Sequence, residues 1–307
     1  CNEKGGVLND PVLLRLTEDE FWFSISDSDL LLWLQGVNVS KKYDVEIDEI
    51  DVCPVQIQGP LSEDLMAKLA GEELREVPYY GILETKVGGA DCVISQTGFT
   101  GEKGYEIYVR DAHENAEKMW NAVLEAGEEF GLMVIAPAHH RRIAAGILSW
   151  GQDLDHETSP FQVNLSYQVP RNKAADYIGK EELEKQRAMM DEGKAPFKMK
   201  MVGLTLGGKE ITDYAPDFWI VTNTDEDEVG YVTSPWWSPE LETNIALAWV
   251  PWEASEVGTK YMVKLPDEYA ESPGVAVNAE IVDVPFRESV NPNKREVQAA
   301  KGLDFAD

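Results

Sequence analysis

From residue 201 onward the chain stops offering helical periods. Short apolar runs at 201–206, 218–221, 229–233, 245–250, 261–265 and 275–282 are separated by turn residues. Runs of this length, rich in β-branched and aromatic side chains, are strands. Several in succession with no helix between them must close on themselves or pair face to face, because each sheet has an apolar face to bury and edges to protect. The pattern predicts a small barrel or sandwich at 201–292. Its boundary falls near residue 200, after a charged, Lys-rich break at 193–200. Residues 293–307 are polar and charged and read as a loose tail.

Before that boundary the periods are mixed, which predicts an α+β region over residues 1–200. Residues 21–25 alternate and are aromatic, a strand signal; 45–50, 54–57, 84–87, 92–95 and 105–109 read the same way. Gly88-Gly89 marks a hairpin turn. Asp27-Ser28-Asp29 offers helix-capping chemistry before an apolar helix that starts at 30–34. Further helices are predicted at 62–69, 111–130, 139–148 and 181–190. Within 111–130, Ala116, Met119, Trp120, Val123 and Leu124 share one face, and Gly131 is placed to stop the helix.

Charge narrows the partners. There are 56 Asp and Glu against 27 Lys and Arg, a net of −29. Such a field repels a phosphate backbone and an anionic membrane surface, so neither nucleic acid nor membrane is expected. A solvated acidic surface of this kind suits a salty cytoplasm. No apolar run nears the ~18 residues of a membrane helix. No secretory signal is visible, and the chain opens on Cys1 rather than Met, so a missing N-terminal segment is expected. Cys1, Cys53 and Cys92 are odd in number and far apart, without a disulfide framework, which points to a reducing, cytoplasmic setting. His113, His139, His140 and His156 lack metal-ligand spacing. The adjacent pair, His139 and His140, would point about 100° apart on a helix, so no metal site is expected.

Four polar segments carry candidate chemistry. Gly5-Gly6-Val7-Leu8-Asn9-Asp10 sets a carboxylate among apolar residues, where desolvation suits a base or an orienting acceptor; an Asn-Asp-Pro turn explains the same residues. In the loop Thr97-Gly98-Phe99-Thr100-Gly101-Glu102-Lys103-Gly104-Tyr105-Glu106, three glycines permit close backbone approach to a ligand. Phe99 offers a flat face, and Glu106 an acceptor for the N–H groups of a heterocycle. A plain hairpin turn is the other reading. The loop lacks the Gly-Lys-Ser/Thr ending of a phosphate cradle. Trp150-Gly151-Gln152-Asp153-Leu154-Asp155 and Ser234-Pro235-Trp236-Trp237-Ser238-Pro239 suit either a pocket lining or a domain interface.

Taken in order, these segments resemble the glycine-cleavage T-protein family. Cys1 to Asp10 looks like that family's C-N-E-x-G-G-(I/V)-(I/L)-D-D, and Gln58-Gly59-Pro60 its Q-G-P. Thr97 to Glu106 looks like T-G-Y-T-G-E-x-G-(F/Y)-E. Gly151 to Asp155 with Ser159-Pro160-Phe161, Asp176 to Leu183, Gly230 to Ser234 and Ile245 to Ala248 match its later motifs. The matches span nearly the whole chain. The resemblance implies a three-lobed α+β folate-binding fold closed by a C-terminal β-barrel. The family's first several dozen residues have no counterpart here.

By position the resemblance implies Asp10 as the active-site aspartate. It implies Tyr80, Phe99, Glu106, Arg142 and Trp150 as cofactor-binding residues, the cofactor being tetrahydrofolate. On the substrate side Trp22 is a candidate aromatic face for a cationic donor, and Arg287 a candidate partner for a substrate carboxylate or the folate glutamate tail. Asn9 stands for a family aspartate, Phe99 for a tyrosine, and Ala138 for the arginine of the glycine-cleavage enzymes' G-A-R-D. Ala144 replaces an acidic residue, and Gly81 stands where a bulkier one is usual. Asn9-Asp10-Pro11, the stretch from Phe21 to Asp29 and the loss of the arginine at 138 are similar to the dimethylsulfoniopropionate demethylase-like branch. The implied reaction is methyl transfer from a small donor, such as dimethylsulfoniopropionate, to tetrahydrofolate. Two alternatives stand beside it. One is an aminomethyltransferase of the glycine cleavage system, with a lipoyl carrier protein as partner, against which Ala138 speaks. The other is a non-enzymatic folate-binding iron–sulfur assembly factor, whose G-C-Y-x-G-Q-E cysteine is missing from Leu148-Ser149-Trp150-Gly151-Gln152-Asp153.

Overall fold

A computed structural model describes residues 1–25 and 28–287. The architecture is α+β in three lobes. The first is a hairpin, β1 (Val12–Arg15) and β2 (Phe21–Ser24), paired antiparallel with Leu14 opposite Trp22, followed by helix α1 (Leu30–Lys41). Alternation gives the hairpin two faces. Leu14 and Trp22 pack inward on Val93 and Tyr108, whereas Leu13, Phe21 and Phe23 face outward. The expected cap of α1 is only partly in view. Ser26 and Asp27 lie outside the described residues, Asp29 sits at the cap position without a side-chain bond to the helix, and Ser28 instead accepts from Asn9 Nδ2 at 2.8 Å.

The expected strand at 45–50 does not form. Val45 and Ile50 are exposed, and no ladder reaches them. Alternation describes a side-chain pattern, but a strand also needs a neighbour to satisfy its backbone, and the pattern cannot supply one.

The second lobe is a four-stranded antiparallel sheet built from β3 (Val52–Gln58), β4 (Ile82–Val87), β5 (Ala90–Ser95) and β6 (Gly104–Arg110), in the order β3-β6-β5-β4. Helices α2 (Ser62–Ala70) and α3 (Ala112–Gly127) cover one face, over Ile57, Ile94, Tyr105, Ile107 and Val109. Gly88 and Gly89, at φ 58° and 81°, turn β4 into β5 with two left-handed residues, as a tight hairpin requires. The opposite face carries Glu106 and Tyr108, with Gln56 and Ser95 directly across from Glu106. The hairpin lies over Tyr108.

Helix α4 (His139–Ala144) stops short of the expected Leu148. Gly146 takes a left-handed φ of 69°, and Ile147 N–H turns back to Arg142 O at 2.8 Å, which closes the last turn. Helix α5 (Lys180–Asp191) follows.

The third lobe is a closed six-stranded barrel: β7 (Met199–Leu206), β8 (Trp219–Thr222), β9 (Glu228–Ser238), β10 (Thr243–Pro251), β11 (Lys260–Val263) and β12 (Val277–Val282), in the order β10-β7-β12-β11-β8-β9. Of barrel and sandwich, closure is the solution adopted, and it removes every edge. Strand β10 is buried on both faces. Ala246, Ala248 and Val250 fill the barrel, while Ile245, Leu247 and Trp249 pack on Val7, Ile143 and Leu154 outside it. Among the described residues no helix is long and apolar enough to cross a membrane. The tail at 293–307 lies outside the described residues.

Candidate functional site

The segment that delivers Asp10 is held by its own asparagine. Asn2 Oδ1 accepts from the N–H of Lys4 and of Gly6, both at 2.9 Å, and Asn2 Nδ2 donates to His156 O at 2.8 Å. A Cβ on Gly6 would stand 1.9 Å from His156 O, so only glycine fits. Val7 then donates its N–H to Thr158 O at 2.8 Å and accepts Trp150 Nε1 at 3.1 Å. The chain leaves this clamp with Asp10 projecting toward Tyr80 and Tyr167, whose ionisation its charge opposes.

Asp10 and Tyr80 are reachable by water, Tyr80 being 46% exposed, yet the surrounding protein raises the pKa of both. Both side chains are thus exposed to water on one side and desolvated by neighbouring protein on the other. Tyr80 itself has φ 63°, a left-handed backbone that a bulky residue adopts only under constraint. Its N–H donates to Gln96 O at 3.2 Å, and Gly81 N–H closes a turn on Pro78 O at 2.7 Å. A Cβ at 81 would lie 2.6 Å from Pro78 Cδ. The glycine that departs from the family pattern is therefore dictated by this turn. The rings of Tyr79 and Tyr80 meet at 4.4 Å, tilted by 58°.

Glu106 approaches Tyr79 and Tyr80 from the sheet. It is 6% exposed, and its Oε2 accepts from the hydroxyl of Thr97 and, at 3.0 Å, from Tyr108. Its charge and that of Asp10 both bear on Tyr80. Burial pushes the hydroxyls of Tyr79, Tyr108 and Tyr167 well above the usual tyrosine range, and nearby carboxylates add to the shift. These groups remain neutral donors at any physiological pH.

The loop from Thr97 to Gly104 is fastened to β3. Gln58 Nε2 donates to Thr97 O at 3.1 Å, Thr100 Oγ1 donates to Gln58 Oε1 at 2.7 Å, and Phe99 N–H donates to Gln56 Oε1 at 3.2 Å. Any Cβ on Gly98 or Gly104 would fall within 2.6 Å of the Gln58 amide. Glycine here serves close packing of the loop on a glutamine, with Phe99 half-buried above.

Asp10 and Glu106 thus both bear on Tyr80, with Phe99 on the loop between β5 and β6. The other candidates lie elsewhere. Arg142 is 1% exposed and joins α4 to the barrel: it donates to Asp153 Oδ2 at 2.7 Å, Ser234 Oγ at 2.8 Å and Ile147 O at 3.1 Å. Trp150 packs among Val7, Leu154 and Trp249, on the interface side of the two readings. One face of Trp22 is taken by the Arg110 guanidinium at 4.5 Å. Arg287 pairs with Glu102 at 2.7 Å and Glu240 at 3.4 Å and donates to Thr100 O, while its buried Nε meets no acceptor. Sequence reasoning gives no role to Tyr79, Tyr108 or Tyr167, and none to Thr97 beyond its place in the loop. Tyr108 was within reach, since it is two residues from Glu106 on one strand and so shares its face. Tyr167 gives no local signal.

A separate groove of about 760 Å³ runs between α1 and the start of α5, lined by Trp33, Val37, Tyr177 and Lys180, and shares no residue with this cluster. Among the described residues no group of three or more His, Cys, Asp or Glu is arranged to hold a metal ion.

Residues 1–173 match the GCVT N-terminal domain, and residues 200–287 the glycine cleavage T-protein C-terminal barrel domain. The chain is 34% identical over 266 residues to a dimethylsulfoniopropionate demethylase of Ruegeria pomeroyi, covering 87% of this chain and 70% of that protein. It is 33% identical over 273 residues to an aminomethyltransferase of Clostridium botulinum, covering 86% and 70%. The crystal structure of the glycine cleavage system aminomethyltransferase T from Bartonella henselae superposes with a TM-score of 0.72 at 21% identity, over 94% of this chain and 74% of that one.

Proposed function

We propose, because this chain belongs to the glycine-cleavage T-protein family of one-carbon transferases, that it moves a methyl group from a small cationic donor to tetrahydrofolate. The observation that carries the reading is that the carboxylates of Asp10 and Glu106, from the N-terminal segment and the sheet, both bear on the exposed Tyr80. The residues present fit a pteridine. Glu106 offers a buried carboxylate near the rings of Tyr79 and Tyr80. The unsatisfied Nε of Arg287, beside the loop from Thr97 to Gly104, suits a carboxylate such as the folate glutamyl tail. Phe99 keeps a ring at the family's tyrosine position without its hydroxyl.

When bound, tetrahydrofolate supplies the nucleophilic nitrogen that receives the one-carbon unit. The protein's part is alignment, because a sulfonium methyl is already activated by its leaving group, and holding two small reactants in line removes several kcal/mol of barrier. Glu106 fixes one reactant through its N–H edge. Tyr79 and Tyr80 present π faces suited to a sulfonium, about 1–2 kcal/mol when desolvated. Asp10 orients the attacking side and takes the proton released as the new bond forms; burial raises its pKa, which strengthens it as that acceptor. The acidic field of the whole chain attracts cations to the site. Dimethylsulfoniopropionate is the donor we favour, on the 34% identical relative and on Ala138 in place of an arginine. The setting we favour is a reducing cytoplasm, in keeping with three unpaired cysteines.

An aminomethyl transfer is the second reading, favoured by the 33% identical relatives. The test is product analysis with tetrahydrofolate and a panel of sulfonium, ammonium and methoxy donors. Methyl-tetrahydrofolate and a thioether are expected. Methylene-tetrahydrofolate from an aminomethyl-loaded lipoyl carrier, with every methyl donor inert, would overturn the proposal.

A further inference from the structure

We infer that Thr97 and Tyr108 are positioning residues for Glu106, and that their two hydroxyls fix which carboxylate oxygen meets the ligand. The inference rests on Glu106 binding the pteridine, the reading given above.

A carboxylate has about four lone-pair positions, shared between two oxygens. Thr97 and Tyr108 both donate to Oε2, and among the described residues no donor meets Oε1. The carboxylate is therefore turned one way, with one oxygen saturated by protein and the other presented. Such orientation matters most where water is scarce, because an unaligned buried acceptor loses its hydration without gaining a ligand bond.

Each hydroxyl is itself held. Thr97 leads the loop, and its carbonyl is tied to Gln58 Nε2 at 3.1 Å. Tyr108 is 3% exposed; its ring packs with Leu14, Trp22 and Val93 beneath the hairpin, and Val93 is its cross-strand partner. Tyr108 and Glu106 are two apart on β6, so the pleat delivers both to one face, while Thr97 comes from the loop opposite. The hairpin thus bears on the carboxylate through Tyr108. Neither hydroxyl can follow a change of pH, since a threonine does not titrate and burial lifts Tyr108 out of range.

The experiment is a double-mutant cycle on the full chain, read as the Kd for tetrahydrofolate by titration. Thr97→Val and Tyr108→Phe should each weaken binding about tenfold, the loss of one hydrogen bond to a charged group. In a Glu106→Ala background the same substitutions should change Kd less than twofold, because the group they orient is gone. Thr97→Ser should restore binding, which a role in packing alone would not. Equal losses with and without Glu106, or full affinity in both single variants, would overturn the inference. If Glu106→Ala itself binds normally, the pteridine reading fails first, and the two outcomes are told apart by that one measurement. Circular dichroism of each variant separates misfolding from lost orientation.

Discussion

Replacing Arg142 by Met tests whether this arginine serves the fold or the ligand. The guanidinium is 1% exposed and Asp153 1% exposed, with 2.7 Å between them. Removing one partner of a buried ion pair costs about 3–5 kcal/mol, because the other charge stays behind unpaired. Here Asp153 keeps three donors: Ser149 N–H at 2.8 Å, Thr233 Oγ1 at 2.6 Å and Ser234 Oγ at 2.5 Å. That remaining solvation places the loss at the lower end, about 3 kcal/mol. For a chain of this size each kcal/mol moves Tm by roughly 2 °C, so a fall of about 6 °C is expected in a calorimetric scan. Arg142→Met with Asp153→Leu should recover part of the loss, since an apolar pair of similar volume removes the stranded charge. A Tm within about 1 °C of the parent, together with a weakened folate Kd, would refute the reasoning and make Arg142 a ligand contact.

Asp10→Asn should slow methyl transfer by about 10²–10⁴, the usual contribution of a positioned acid–base group, as measured by single-turnover product formation. The same variant should raise Tm at neutral pH. Burial lifts the folded-state pKa of Asp10 above its unfolded value, so its favourable contribution exists below the ordinary carboxylate range and is lost as pH rises through the folded pKa; a Tm difference that does not grow with pH between about 3 and 7 would contradict this. Gly98→Ala places a Cβ about 2.2 Å from Gln58 Oε1, so it should displace the loop, cost about 1–3 kcal/mol in denaturant unfolding and weaken folate binding. The net charge of −29 predicts stabilisation by salt: between about 0.1 and 1 M the screening length shortens from about 10 to 3 Å, and a Tm indifferent to that change would dismiss charge repulsion as a stability term.

These predictions sort by the kind of information each residue needed. Periodic features were legible because they depend on the chain alone: the barrel strands, the Gly88-Gly89 hairpin and the face of α3 follow from side-chain spacing and turn chemistry. Residues 45–50 show the limit, since their alternation is as regular as that of β3, yet no strand lies beside them to complete a ladder. The site divides in the same way. Asp10, Tyr80 and Glu106 are proposed on ordered motifs. Arg142 comes from equally motif-rich surroundings, but its contacts are with Asp153 and Ser234, 11 and 92 residues away in sequence. A buried arginine and a ligand-facing arginine leave the same mark on a sequence, because both demand that the side chain be retained. What separates them is whether the protein already satisfies the group. Arg142 donates to four partners, its Nε to His139 Nδ1 at 3.5 Å among them, whereas the Nε of Arg287 meets none. On that criterion Arg287, despite its ion pairs with Glu102 and Glu240, is the arginine whose removal should be felt by a bound anion, and Arg142 the one whose removal should be felt by the fold.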